Sequence, residues 1–242
     1  MRKIFIVLLC FTSLYLNAQQ AEDFYLIGNM LAQEGNYPDA LKAFEKSAEL
    51  DPTNPKTFYN IGLTYYFLEE VDSAIVYISQ AIVLDPYYTY AYQNRAELYG
   101  LKGMYAEAID DLDMVINAEP NVPAHLFNRA LYKRNSELYQ EALEDYSAFI
   151  DMVPDVMAAY RNRGTIYGKV DLHEKALADY DMVIWLHGQG KGTGVEIKNL
   201  SGDFFNRGVC RLRLGYDEDG CSDLNKAQAL GYNVGPILTY CD

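Results

Sequence analysis

The residues on which enzymes most often build their chemistry are scarce in this chain. It has three histidines (His125, His173 and His187) in 242 residues, set far apart, and four cysteines. No group of His, Cys and carboxylates has the spacing of a metal site, and no nucleophile motif is present. We therefore expect no metal, no cofactor and no catalysis. Positive charge is also short: 20 Lys and Arg stand against 34 Asp and Glu, a formal net charge of −14. Such a surface repels phosphates and anionic lipid, which speaks against nucleic-acid and membrane-surface partners. After residue 16 no apolar run is long enough to span a bilayer.

The one long apolar run, Ile4–Leu16, follows Arg2 and Lys3 and precedes Asn17-Ala18-Gln19. A positive start, a short apolar stretch and a small residue before the cut form the layout of a secretory signal peptide. We expect residues 1–18 to be removed and the protein to be exported, into the periplasm or beyond. Cys10 sits behind bulky Leu8 and Leu9, which suits lipidation poorly. Cleavage takes away two positive charges and no acid, leaving a net charge of −16. Cys210, Cys221 and Cys241 then remain, all near the C-terminus. An exported chain can keep disulfides, and an odd count leaves one thiol over. Cys221–Cys241 is the favoured pair, because it ties the tail to a helix; three reduced thiols in apolar surroundings is the alternative.

The chain repeats itself. Gly28, Gly62, Ala96, Ala130 and Gly164 are each 34 residues apart, and a second small residue follows each by twelve: Ala40, Ala74, Ala108, Ala142 and Ala176. Pro52, Pro86, Pro120 and Pro154 close four of the units. A sixth unit fits on Gly208 and Gly220, displaced by ten extra residues. Within a unit the apolar spacing is helical: Phe58, Ile61, Tyr65 and Leu68, then Ile75, Ile78 and Ile82. A short break separates the two helices, and the proline stops the second. Each unit therefore predicts an αα-hairpin, and hairpins must stack to bury their apolar faces.

On these residues the sequence resembles the tetratricopeptide repeat (TPR) family, over about residues 21–234. The period, the aromatic opening (Phe24, Phe58, Tyr92, Tyr160, Phe204), the small pair and the late proline carry the resemblance. It implies an all-α fold, a right-handed superhelical solenoid of about six hairpins, with a concave groove lined mainly by the first helix of each. The expected organisation is a signal peptide over 1–18, five units over 21–187, a glycine-rich insertion over 188–200, and a sixth unit with a cap over 201–242. The closing segment resembles endings of exported TPR proteins of Bacteroidota, with Pro236–Cys241 as a short cap.

Two places within the repeat attract polar residues. Just before the first small residue stand Ile27, Ile61, Arg95, Arg129, Arg163 and Arg207; sixteen residues later stand Ala43, Tyr77, Asp111, Asp145, Asp179 and Asp223. Apolar goes with apolar and Arg with Asp, so we expect four ion pairs inside their own hairpins. Arginine suits the task because its planar fork meets a carboxylate bidentately. A clamp for a ligand is the other reading, and pairing with a neighbouring unit fits the spacing worse. Asp223→Ala is expected to destabilise the fold about as much as Arg207→Ala.

One step earlier come Asn60, Asn94, Asn128, Asn162 and Asn206. The family resemblance places them beside the groove, where the superhelical glycosyltransferases carry a similar asparagine ladder. Amides there can hold the backbone of an extended peptide; bonding to neighbouring repeats is the alternative. Tyr25, Tyr59, Tyr66, Phe67 and Phe127 would make an aromatic half of the groove, and Arg134, Arg161, Lys169 and Arg213 a basic half. Packing between repeats is the other use for the tyrosines. The insertion HGQGKGTGVEIKNL fails as a phosphate loop, because Gly192 follows Lys191 and a helix precedes it. The expected function is a non-catalytic scaffold for a protein or peptide segment in the cell envelope. The alternative is an accessory subunit of a larger envelope assembly, docking by its edge or convex face.

Overall fold

The computed structural model describes residues 2–191 and 199–241, with side chains from Leu16 onward. Twelve α-helices follow one another: α1 (Arg2–Gln33), α2 (Tyr37–Leu50), α3 (Pro55–Phe67), α4 (Val71–Leu84), α5 (Thr89–Leu101), α6 (Tyr105–Ala118), α7 (Pro123–Asn135), α8 (Tyr139–Met152), α9 (Met157–Lys169), α10 (His173–Gly188), α11 (Leu200–Arg213) and α12 (Asp217–Ala229). A 3-10 turn over Gly235–Tyr240 closes the chain. No strand occurs among the described residues. Each odd-numbered helix packs against the next one in the chain, giving six hairpins. They fall into two compact units, Met1–Ala118 and Glu119–Asp242. Helix α1 runs unbroken across Ala18. Most of the glycine-rich insertion expected over 188–200 lies outside the described residues.

The helix ends obey local rules. Gly35 takes φ +77° after α1, and Asn36 N–H reaches back to the Leu31 carbonyl at 2.9 Å, satisfying a carbonyl that the helix leaves unpaired. The same turn recurs after every first helix, yet Glu69, Glu137 and Asp171 occupy the left-handed place at φ 64°, 62° and 58°. Second helices end differently: Asp51 and Asp85 are extended, and the prolines that follow them cannot continue a helix. Asn54 caps α3 by accepting from the Lys56 N–H at 3.0 Å.

Size matching fixes the hairpins. Opposite each first small residue stands a large one sixteen places on: Phe44, Ile78, Leu112, Tyr146, Tyr180 and Leu224, all buried. A Cβ on Gly28 would lie 2.5 Å from the Phe44 ring, and one on Gly62 would lie 2.6 Å from Ile78. The glycines are therefore what lets these helices approach. Burying each large side chain contributes roughly 1.5–3 kcal/mol. In the second unit Cys221 and Cys241 form a disulfide, with Cα atoms 5.5 Å apart, that holds the 3-10 turn to α12. Cys210 is a free, buried thiol, and burial pushes its pKa up to about 11.

Candidate functional site

The repeated arginines lie between the two helices of their own hairpins. Arg95 donates from Nε and Nη2 to Asp111 at 2.8 and 2.7 Å, and Arg163 meets Asp179 the same way at 2.9 and 2.7 Å. Arg129 meets Asp145 at 2.8 and 2.6 Å, and Arg207 meets Asp223 at 2.7 and 2.8 Å. All four carboxylates are buried. The Asp179 carboxylate holds the Arg163 guanidinium above its ordinary pKa, outweighing the opposite pull of burial.

Two features of these pairs lie beyond the sequence reading. The remaining arginine nitrogen bonds the preceding hairpin: Arg95 to Ser79 at 2.9 Å, Arg163 to Ser147 at 3.1 Å, Arg207 to Asp181 at 2.8 Å. Own-hairpin and neighbour pairing are thus not alternatives. The signal was present, because Ser79, Ser147 and Asp181 all stand two residues after the place that takes the paired aspartate. Second, Asp145 also accepts from Lys133 and Asp223 from Arg211, at 2.8 and 2.7 Å. Asp223 thus serves two guanidiniums, so Asp223→Ala is expected to cost more than Arg207→Ala rather than the same.

The asparagines lie on the first helices, each half-buried. In the first unit Asn60 Nδ2 donates to Asn29 Oδ1 at 2.8 Å. Asn94 Nδ2 donates to the Tyr59 hydroxyl at 2.8 Å and to the Tyr90 carbonyl at 2.9 Å. Both keep their carbonyl oxygens for a further donor. Asn29 escapes a search for repeats because its place holds Leu63, Glu97, Leu131 and Thr165 in later units. Aromatic rings surround these amides. Tyr25 tilts against Phe44, Tyr59 against Tyr88 and Tyr66 against Phe67, with centroids 6.0, 5.0 and 5.5 Å apart. Burial first, then the Glu97 carboxylate, raises the Tyr59 phenol pKa. A cleft of about 220 Å³ opens between α1 and α3, beside Asn29 and Asn60.

In the second unit Asn162 Oδ1 accepts from Arg134 Nη1 at 2.7 Å, and Arg134 also reaches Asn135. Arg161 is held by Asp203 at 2.6 and 2.7 Å, a carboxylate only 1% exposed. The structure therefore places Arg161 in a bridge between α9 and α11. Phe127 packs on Tyr146 and Phe149, with centroids 5.6 and 5.2 Å apart. Lys169 lies over the Tyr139 ring. Arg213 borders a cleft under the 3-10 turn with Tyr240. Asn128 and Asn206 lie half-buried on α7 and α11. Burial pushes the Tyr146 phenol up to about 12. Among the described residues no group of three or more His, Cys, Asp or Glu could hold a metal. No helix among them is long and apolar enough to cross a membrane.

Comparison with known proteins agrees with this architecture. A TPR repeat family model matches residues 28–68, and tetratricopeptide repeat models match residues 55–88 and 127–185. Human DnaJ homolog subfamily C member 7 is 34% identical over 96 residues, covering 38% of this chain and 19% of that protein. The chain thus matches about a fifth of the length of that curated relative. The crystal structure of MamA aligns with TM-score 0.66 and 22% identity, over 71% of this chain and 93% of that one. That of YrrB, described as a TPR protein with an unusual peptide-binding site, aligns with TM-score 0.66 and 20% identity, over 72% and 90%. Tetratricopeptide repeat models thus match parts of both units, and the chain has the TPR solenoid fold.

Proposed function

We propose that this chain is a non-catalytic scaffold that holds an extended protein or peptide segment against the first-helix faces of its repeats. The observation that carries the reading is the state of the amides. Asn60 and Asn94 are fixed by hydrogen bonds to neighbouring residues, yet each keeps an acceptor oxygen among exposed and half-buried rings. Fixed amides bind backbone at low entropic cost, and rings are common interface anchors. The YrrB likeness supports it, since that protein shares the fold and has a peptide-binding site. The acidic balance supports a protein partner over nucleic acid.

We also place the protein in the cell envelope, on the strength of residues 1–18. The protein taken from native cells should then begin near Gln19, and an intact Met1 terminus would refute export by cleavage. For the scaffold, the test is a pull-down from the envelope fraction. The bait is the protein beside a folded variant with Asn60→Ala, Asn94→Ala, Asn128→Ala and Asn162→Ala. A partner held by the parent and lost by the variant supports the reading. A partner held equally by both refutes it and favours the second reading, an accessory subunit that docks through an outer face. One observation favours that second reading: Val76 and Val83 of α4 and Tyr87 in the turn after it are 63%, 79% and 90% exposed. The corresponding places in the first hairpin hold Lys42, Glu49 and Thr53.

A further inference from the structure

We propose that the cleft between α1 and α3 is an anchor pocket for one leucine-sized apolar side chain, on an extended segment that carries basic residues beside it. This rests on the scaffold reading above and gives it a ligand class. The cleft is about 220 Å³. That is below the roughly 300–1,000 Å³ of small-molecule pockets, and above the roughly 150 Å³ that accepts a benzene ring. One side chain fits it. Phe44, Leu63 and Phe67 make apolar walls, and no charged residue lines it. Phe67 stacks on Tyr37 with centroids 4.7 Å apart while remaining 54% exposed, so the wall is both held in place and open to a ligand.

The rim supplies the backbone contacts. Because Asn60 Nδ2 donates one hydrogen to Asn29 Oδ1, the pair is left with the Asn29 amide hydrogens and the second Asn60 hydrogen as donors and Asn60 Oδ1 as acceptor. A residue in an extended chain presents one carbonyl and one N–H on either side of its side chain. A donor and an acceptor joined to each other at the mouth of a side-chain cleft match that arrangement.

Charge selects the flanks. The unit Met1–Ala118 carries 16 acidic side chains against seven basic ones. Four of those bases are already engaged: Lys42 with Asp39, Lys46 with Glu49, Lys102 with Asp72 and Arg95 with Asp111. Glu97 stands one repeat on from Leu63, close enough to act on the Tyr59 phenol, and Glu34 and Glu69 lie exposed at the ends of the two helices. An acidic segment is repelled here, and lysines or arginines beside the anchor find carboxylates.

The test uses nine-residue fluorescein-labelled peptides with alternating Ser and Lys around a central Leu. A second set has central Ala, and a third has Glu in place of every Lys. Fluorescence polarisation is read with the whole protein. The Leu peptide should bind at least about tenfold more tightly than the Ala peptide, and the Glu peptide at least about tenfold more weakly than its Lys counterpart. Ala32→Leu, which fills the cleft, should bring the Leu-to-Ala ratio near one. Phe67→Ser, at an exposed wall, serves the same purpose if Ala32→Leu does not fold. Asn29→Ala with Asn60→Ala should weaken both Lys peptides alike. Equal binding of the Leu and Ala peptides, a ratio untouched by the cleft variants, or a preference for Glu flanks overturns the anchor. If the ratio is absent while the asparagine changes weaken every peptide, the scaffold reading stands and the anchor falls. If the ratio persists and the asparagine changes do nothing, the amide reading falls instead. If no peptide binds, the anchor is overturned, while the pull-down still decides the scaffold.

Discussion

The arginine–aspartate pairs make a prediction that differs from the one spacing alone gives. Asp223 has a 1% exposed side chain and accepts three hydrogen bonds, two from Arg207 and one from Arg211. Asp223→Ala strips the carboxylate from two guanidiniums that are themselves only 11% and 20% exposed. Removing one partner of a buried pair costs about 3–5 kcal/mol, and this change belongs at the lower end, because the half-exposed Asp181 still meets Arg207 at 2.8 Å. Arg207→Ala leaves Asp223 with Arg211, so the buried charge stays compensated; the expected loss is roughly 2 kcal/mol, from lost packing and hydrogen bonds. The first unit supplies the control. There Arg95 is the cation that meets Asp111, through both Nε and Nη2. Arg95→Ala bares a carboxylate that is 5% exposed, so Arg95→Ala and Asp111→Ala should cost nearly the same, about 3–4 kcal/mol. The assay is urea unfolding followed by circular dichroism at pH 7, with the disulfide intact. The reasoning is refuted if Arg207→Ala destabilises as much as Asp223→Ala. It is equally refuted if the Arg95 and Asp111 variants differ by more than about 1.5 kcal/mol, roughly tenfold in the folding equilibrium.

Three further outcomes are expected. Glu69→Gly and Glu137→Gly should each raise the thermal midpoint, because a left-handed residue with a Cβ costs about 1–2 kcal/mol that glycine largely avoids; Asp171→Gly should gain less, since aspartate tolerates that conformation better, and a drop in any midpoint refutes this. Stability should fall as pH rises from about 10 to about 12: the unfolded chain releases the Tyr146 proton near pH 10, while the folded chain keeps it up to about 12. The slope from this one phenol is about 1.4 kcal/mol per pH unit, and a Tyr146→Phe variant with the same alkaline slope would falsify the assignment. Reducing Cys221–Cys241, or Cys241→Ala, should cost about 3 kcal/mol or less by freeing the loop of 20-residue separation, while Cys210 stays unreactive to thiol reagents at pH 7 until the protein unfolds.

What could be read in the sequence was whatever obeys a fixed spacing. Thirty-four residues separate Gly28 from Gly62 because one hairpin must be stacked on the next, and sixteen separate Arg95 from Asp111 because that distance crosses one turn between antiparallel helices. The bridge from Arg161 to Asp203 obeys neither. They stand forty-two positions apart, and ten of these come from the displacement of the sixth unit. Asp203 also stands where Thr57, Ala91, His125 and Ala159 stand in other units, all buried, so nothing in the repeat marks it as an acid. The same holds for Asn29, whose amide meets Asn60 only because α1 and α3 lie side by side.

These exceptions carry a physical consequence for where binding can evolve on a repeat protein. Places that recur in most units are under the demands of stacking: the small residue, the large one opposite it, and the arginine that ties two hairpins at once. A change there disturbs its own hairpin and its neighbour together. Places that differ from unit to unit escape that demand, so their side chains can suit a ligand at little cost to the fold. Asn29 and Phe67 are of this kind, replaced by Leu63 and Leu101 one unit on, and Glu97 has leucines one repeat before and after it. The cleft they border combines a recurring amide, Asn60, with residues peculiar to its two hairpins. On this logic the recurring asparagines position a backbone in any register, and the unique residues around them decide which side chain sits where.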